Sequence, residues 1–148
     1  MVDPETAIRE YILGEHEETI TAVIRCADRV AESWNDEATV GETTFQATTD
    51  REEVVEPLSR ELHESGLLPV FSTILAEAVS AAGFSMQATP VPAPPYVALT
   101  SRGPILRATV SAGRLVVSFH VFDVRRTTRT CYIQGTRDPR DVIMIELK

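Results

Sequence analysis

The residues able to do chemistry in this chain are few, and their spacing limits what that chemistry is. The three histidines, His16, His63 and His120, fall in separate segments. No HExxH, Glu-x-x-His or Cys-His grouping accompanies them, so no metal centre is expected. His16 sits among Glu15, Glu17 and Glu18, and His63 between Leu62 and Glu64; both read as exposed helix residues. Cys26 and Cys131 are the only thiols. They read as two small buried apolar residues, bridged only if the fold brings them together, and nucleophilic use of either needs a neighbouring base that spacing does not supply. There is no phosphate loop, dinucleotide fingerprint or G-x-S-x-G elbow, so no cofactor is expected and the chain leans away from being an enzyme.

The constellation that stands out lies between Tyr96 and Val124, which reads as three antiparallel strands joined by tight turns. With two-residue turns at Arg102-Gly103 and Ala112-Gly113, Leu99 pairs with Leu106 and Val110 with Leu115. Val97, Leu106, Leu115, Val117 and Phe119 then share one apolar face suited to a core. The opposite face carries Tyr96, Arg107, Ser118, His120 and Phe122 among apolar residues such as Ile105 and Val116, with Arg107 opposite Ser118 and His120 one step away. A face open to water should be more polar than this, and a patch of this kind marks an interaction surface. Three readings follow. The face packs against another copy or another protein, with Arg107, Ser118 and His120 as polar anchors. Alternatively it lines a pocket in which Arg107 and His120 bind an anionic ligand. In the third, the first helix covers it.

The elements that must position this face begin with Asp3-Pro4, an N-cap followed by proline at the first helical position. Apolar residues from Ile8 to Trp34 keep a three-four spacing, which predicts one helix over 4–34, weakened or bent at Gly14. Unbroken, it would be ~45 Å long against a radius of gyration of ~15 Å for a compact chain of this size, so it spans the domain or overhangs it. Residues 35–49 read as a loop with a possible short edge strand in TTFQATT. Overlapping capping boxes, Thr49-x-x-Glu52 and Asp50-x-x-Glu53, open a second helix ending at Ser65-Gly66, with a kink expected at Pro57. A third helix runs from Pro69 to Gly83-Phe84; its small and apolar residues all round mark it as the central helix. Residues 85–95 form a proline-rich crossover, in which the PxxP from Pro92 to Pro95 reads as a stiff connector rather than a docking ligand. Beyond the meander, a bulged loop at Thr127-Thr128 leads to a fourth strand over 129–134, and a fifth, 142–147, is apolar enough to sit inside the sheet.

The expected architecture is therefore α+β in one domain over 1–148: three N-terminal helices (helical layer 1–83) packed on one face of a 4–6-stranded antiparallel meander sheet (96–148). The second and third helices followed by a hairpin invite comparison with a winged helix-turn-helix. Yet Leu68–Ala82 holds no Arg, Lys, Asn or Gln for base edges or phosphates, which argues against nucleic acid. The remaining basic group, Arg125, Arg126, Arg129, Arg137 and Arg140, reads as pairing with the acidic half of the chain. Residues 1–100 carry five basic and eighteen acidic groups, residues 101–148 nine and four. Net charge is -8, and thirteen of the fourteen basic residues are Arg. In composition the chain resembles small uncharacterised proteins of halophilic archaea, whose acidic surfaces stay solvated where salt screens charge strongly; the resemblance implies no activity. No apolar run approaches the ~20 residues of a membrane span and the N-terminus lacks signal-peptide features, so a cytoplasmic location is expected. The functional expectation is a non-enzymatic interaction or assembly module whose partner is another copy of the chain, as a homo-oligomer, or another protein; the alternative is an anionic-ligand-binding protein or enzyme around Arg107, Ser118 and His120.

Overall fold

Asp3 caps the first helix as its sequence predicts: its Oδ1 accepts the Thr6 backbone N–H at 3.0 Å, and Pro4 opens α1 (Pro4–Glu15). In the computed structural model, which describes residues 2–126 and 128–148, the expected long helix is two. The chain breaks at His16 (φ -129°, ψ 24°) and restarts as α2 (Glu17–Ala31). Gly14 lies one turn-fraction before the break and is itself helical. A single rod would carry part of its apolar stripe past the core. The break lets Ile8 and Ile12 of α1 and Ile20, Val23 and Ala27 of α2 enter the same buried cluster, so no helix overhangs there.

The segment expected as a loop is a hairpin, β1 (Asp36–Val40) and β2 (Thr43–Thr48), turning at Gly41-Glu42 with Gly41 at φ 63°. Next comes α3 (Glu52–Glu64), whose first turn is held by Asp50 and by Thr48 Oγ1 donating to Glu53 at 2.5 Å. Pro57 lies inside α3 and supplies no N–H to the Glu53 carbonyl four residues back. The Trp34 indole Nε1–H donates to that carbonyl at 3.1 Å. Gly66, at φ 70°, joins α3 to α4 (Leu67–Ala81). At the far end Gly83 donates to Ser80 and Phe84 to Val79, the paired bonds of a glycine-terminated helix. Phe71 of α4 meets Phe119 with ring centroids 5.3 Å apart, which ties this helix to the sheet as its apolar surface predicts.

After the crossover the chain forms β3 (Val97–Thr100), β4 (Gly103–Val110) and β5 (Gly113–Phe119), with β6 (Phe122–Arg126), β7 (Thr130–Gln134), the short α5 (Pro139–Val142) and β8 (Ile143–Leu147) following. The fold is α+β and antiparallel, but it has five helices and two four-stranded sheets among the described residues, ordered β1-β2-β7-β6 and β3-β4-β5-β8. The expected single meander is cut at His120-Val121. There the N–H groups of Val121 and Phe122 both donate to the Arg102 carbonyl, and the chain crosses into the other sheet. Both hairpin turns fall one residue earlier than expected, at Ser101-Arg102 and Ser111-Ala112, so Val97 pairs with Leu106 and Ala108 with Leu115. Each register moves by two residues, which leaves the side chains of β3, β4 and β5 on their expected faces. Leu106, Leu115, Val117 and Phe119 are fully buried. The loop from β6 to β7 is longer than two residues, with Arg126 opposite Thr130 rather than Arg129; Thr127 lies outside the described residues.

β8 was expected inside the sheet and is instead its edge, beside β5. Its apolar character is explained by α1, which takes the place of a neighbouring strand. Glu5 Oε1 accepts the Leu147 N–H at 3.0 Å, and the Arg9 guanidinium donates to the Ile143 carbonyl at 2.6 Å. Covering an edge in this way removes a template for unwanted strand pairing.

Candidate functional site

Register determines what the second face of the β3-β4-β5-β8 sheet presents. One cross-strand row runs Ala98, Ile105, Ser118, Met144 and the next runs Arg107, Val116, Glu146. Ile105, Val116 and Ser118 are half-buried, Arg107 and Glu146 exposed, and Met144 is 45% exposed. The first helix does not bury this face; Ile8 and Ile12 belong to the core on the other side. The result is an apolar strip bordered on one side by a guanidinium and on the other by a carboxylate.

The five residues singled out in the sequence are separated by the fold. Arg107 and Ser118 lie on this face but are not opposite one another: Arg107 pairs with Val116 and Ser118 with Ile105. Their expected pairing assumed the later turn. His120 stands at the corner between the sheets, half-buried, with its backbone N–H on the Val142 carbonyl. Burial lowers its pKa and the nearby Arg102 lowers it further, against the opposing pull of Glu146, so the imidazole is biased toward the neutral form and suits an anion poorly. Phe122 is not on the face at all. It is 1% exposed and packs on Trp34 at 5.4 Å in the core, because the chain has already changed sheets. Tyr96 precedes β3 and accepts the Arg107 N–H on its carbonyl at 2.8 Å.

Tyr96 and Arg107 instead meet in a groove of about 640 Å³ at the free side of β4. β3 begins only at Val97, opposite Leu106, so the far half of β4 has no neighbouring strand on that side, and the crossover at 85–88 forms the opposite wall. Arg107, Arg114, Thr109, Ser111, Ser85 and Gln87 are among its polar lining residues, and no carboxylate lines it. The arginines are diagonal neighbours on β4 and β5, since Arg114 pairs with Thr109, two residues along from Arg107. Arg114 carries no signal in the sequence beyond the alternation that puts it on the same face.

Three other groupings differ from expectation. His16 is not a free surface histidine: its Nε2 and the Tyr11 hydroxyl both lie 2.8 Å from Glu77 Oε1. Glu77 is held below the usual carboxylate range, chiefly by His16 and then by Tyr11. Among the C-terminal arginines, Arg137 forks onto Asp28 of α2, with its second bond at 2.6 Å, Arg125 pairs with Asp123 at 3.3 Å, and Arg129 reaches the Thr49 hydroxyl at 3.3 Å. Only Arg137 of these reaches into the acidic N-terminal half through an ion pair among the described residues. Cys26 is buried near Ser65 and Cys131 half-buried in the other sheet, both as free thiols. No three His, Cys, Asp or Glu side chains among the described residues converge as a metal-ligand set. No described helix is long and apolar enough to cross a membrane.

A family model described as "Domain of unknown function (DUF7988)" matches residues 6–148, and the chain belongs to that family. Comparison with curated proteins and with solved structures found no match.

Proposed function

We propose that this DUF7988 chain is a non-enzymatic assembly module that self-associates through the second face of the β3-β4-β5-β8 sheet. The observation that carries the reading is the order of residues across the strands. A two-fold axis laid along β5 exchanges β4 with β8 of a second copy. It brings Ile105 over Met144, Ser118 over Ser118, and Arg107 over Glu146, whose carboxylate is also reached by Lys148 of its own chain at 2.9 Å, so these two rows are self-complementary in polarity and charge. An isologous contact of this kind is the commonest way that identical chains close a dimer, and two sheets stack face to face at ~10 Å with their strands nearly aligned.

The footprint sets the expected strength. The three overlapping strands, ~4.8 Å apart, and about five residues of ~3.3 Å rise give roughly 240 Å². That is small beside the ~800 Å² per partner of stable complexes, so association is weak and depends on concentration. Sedimentation velocity across a concentration series tests it. Val116→Asp should abolish the dimer. Arg107→Glu and Glu146→Arg should each weaken it, and the two together should restore it by reversing the pair. A strict monomer at every concentration and salt level would remove the reading.

A further inference from the structure

We infer that the groove beside β4 binds a small phosphomonoester, with Arg107 and Arg114 as a two-pronged clamp on its phosphate. The inference rests on different observations from self-association, although both use Arg107. The first is electrostatic. In a chain with 22 acidic residues and a net charge of -8, this groove holds two arginines and no carboxylate among its lining residues. Neither arginine has an ion-pair partner among the described residues. Two unpaired guanidiniums on diagonal sheet neighbours, ~7–8 Å apart at Cα, repel one another unless an anion lies between them.

The second observation is the supply of neutral donors. The Arg107 N–H points away from β5 to the Tyr96 carbonyl. Strand alternation turns the Thr109 N–H the same way two residues on, past the end of β3, into the groove. Thr109, Ser111 and Ser85, each with a hydroxyl, are among the lining residues. A dianion with three peripheral oxygens can use two guanidinium forks, a backbone N–H and hydroxyls together, whereas a carboxylate is satisfied by a single fork. The third is the apolar and aromatic lining contributed by Met86, Pro95 and Tyr96. A bare inorganic ion leaves that lining unused, so the ligand carries an organic group on its phosphate. A volume of about 640 Å³ falls in the range of ~300–1,000 Å³ typical of small-molecule sites.

The site differs from the expected Arg107–His120 pocket in its second cation. His120 does not line the groove, and Arg114 takes that role. Isothermal titration with phenyl phosphate as the probe tests it, with inorganic phosphate and benzoate as comparators. Saturable binding of phenyl phosphate is expected, tighter than either comparator. It should weaken at least about tenfold in Arg107→Ala and in Arg114→Ala, and stay unchanged in Arg60→Ala, on α3 away from the groove. Circular dichroism melts confirm that the variants are folded. Absence of phenyl phosphate binding to the folded wild-type chain at millimolar concentration overturns the proposal. Equal loss in all three arginine variants overturns it too, since that is the response of general surface charge. Arg114 lies outside the dimer rows, so its substitution separates failure of this site from failure of self-association.

Discussion

Glu77 is the one charge on α4, and both groups that hydrogen-bond its Oε1 come from the joint between α1 and α2. The carboxylate therefore helps to hold that joint in position, and it does so most strongly while ionised. Its folded pKa lies below the ordinary 4.5, with the His16 bond as the larger cause and the Tyr11 bond next. A depressed carboxylate contributes stability that is fully present above its unfolded pKa and is lost as pH falls through the folded value. Glu77→Gln should accordingly be less stable than wild type at pH 7, by no more than about 1 kcal/mol because the group is partly exposed, and the difference should close below about pH 4.5. Urea denaturation of both chains across that range is the measurement; a difference that stays constant with pH would assign the effect to packing alone. The same scale explains why the sheet's faces were legible and its pairings were not. Gly103 and Gly113 look like turn residues in the sequence but open the return strands, at φ 144° and 136°. A Cβ on Gly103 would lie 1.9 Å from the Phe119 carbonyl oxygen, and one on Gly113 the same distance from that of Lys148. Glycine is needed there for close approach of backbone, a reason that involves residues distant in sequence. Because the error was two residues in register, the face assignment survived while the Arg107–Ser118 pairing did not.

At the scale of elements, the places where sequence patterns misled are those where one element completes another. The periodicity from Ile8 to Trp34 is continuous, yet the chain breaks at His16, since the bond that stabilises the joint goes to Glu77, 61 residues away. β8 looked interior because its exposed edge is satisfied by Glu5 and Arg9 from the other end of the chain. β1 and β2 lacked a strong alternation, and β2 gains its place only by pairing Ala47 with Ile133 and Thr48 with Tyr132. Local signals did succeed where the partner was local: Asp3-Pro4 starts α1, and Gly83-Phe84 ends α4. Pro57 and Trp34 form a further such completion across elements. Proline deprives the Glu53 carbonyl of its helical donor, and the buried indole supplies another. Trp34→Phe should cost about 1 kcal/mol from this bond alone, in addition to any loss of packing. In a Pro57→Ala background, the restored backbone N–H reaches the same carbonyl, and that part of the cost should vanish. A double-mutant cycle from chemical denaturation reads the coupling; a coupling indistinguishable from zero would mean that the carbonyl is satisfied in some other way.

At the scale of the whole molecule, the division into two sheets is what separates a core aromatic, Phe122, from a surface guanidinium, Arg107, that alternation had put on one face. The one local trace of that division is Val121-Phe122, two adjacent residues both buried at 1% exposure, which a strand with one wet face does not accommodate. The fold then gives Arg107 two destinations, Glu146 of a second copy across the sheet face and a phosphate in the groove beside β4. One side chain cannot satisfy both at full strength, so the two proposed functions are linked through it. Linkage is reciprocal: a ligand that draws Arg107 into the groove weakens the dimer, and dimer formation weakens the ligand by the same factor. With the exposed ion pairs at the edge of the contact contributing little each, saturating phenyl phosphate should raise the dimer dissociation constant by about fivefold, the low end of typical couplings. Sedimentation velocity with sodium chloride at matched ionic strength isolates this from screening. Arg114→Ala supplies the decisive comparison, since it retains the dimer rows and loses half of the phosphate clamp; in that chain phenyl phosphate should leave the dimer population where matched salt puts it. An equal response in wild type and Arg114→Ala would show that the anion acts on the interface directly, and Arg107 would then belong to the sheet face alone.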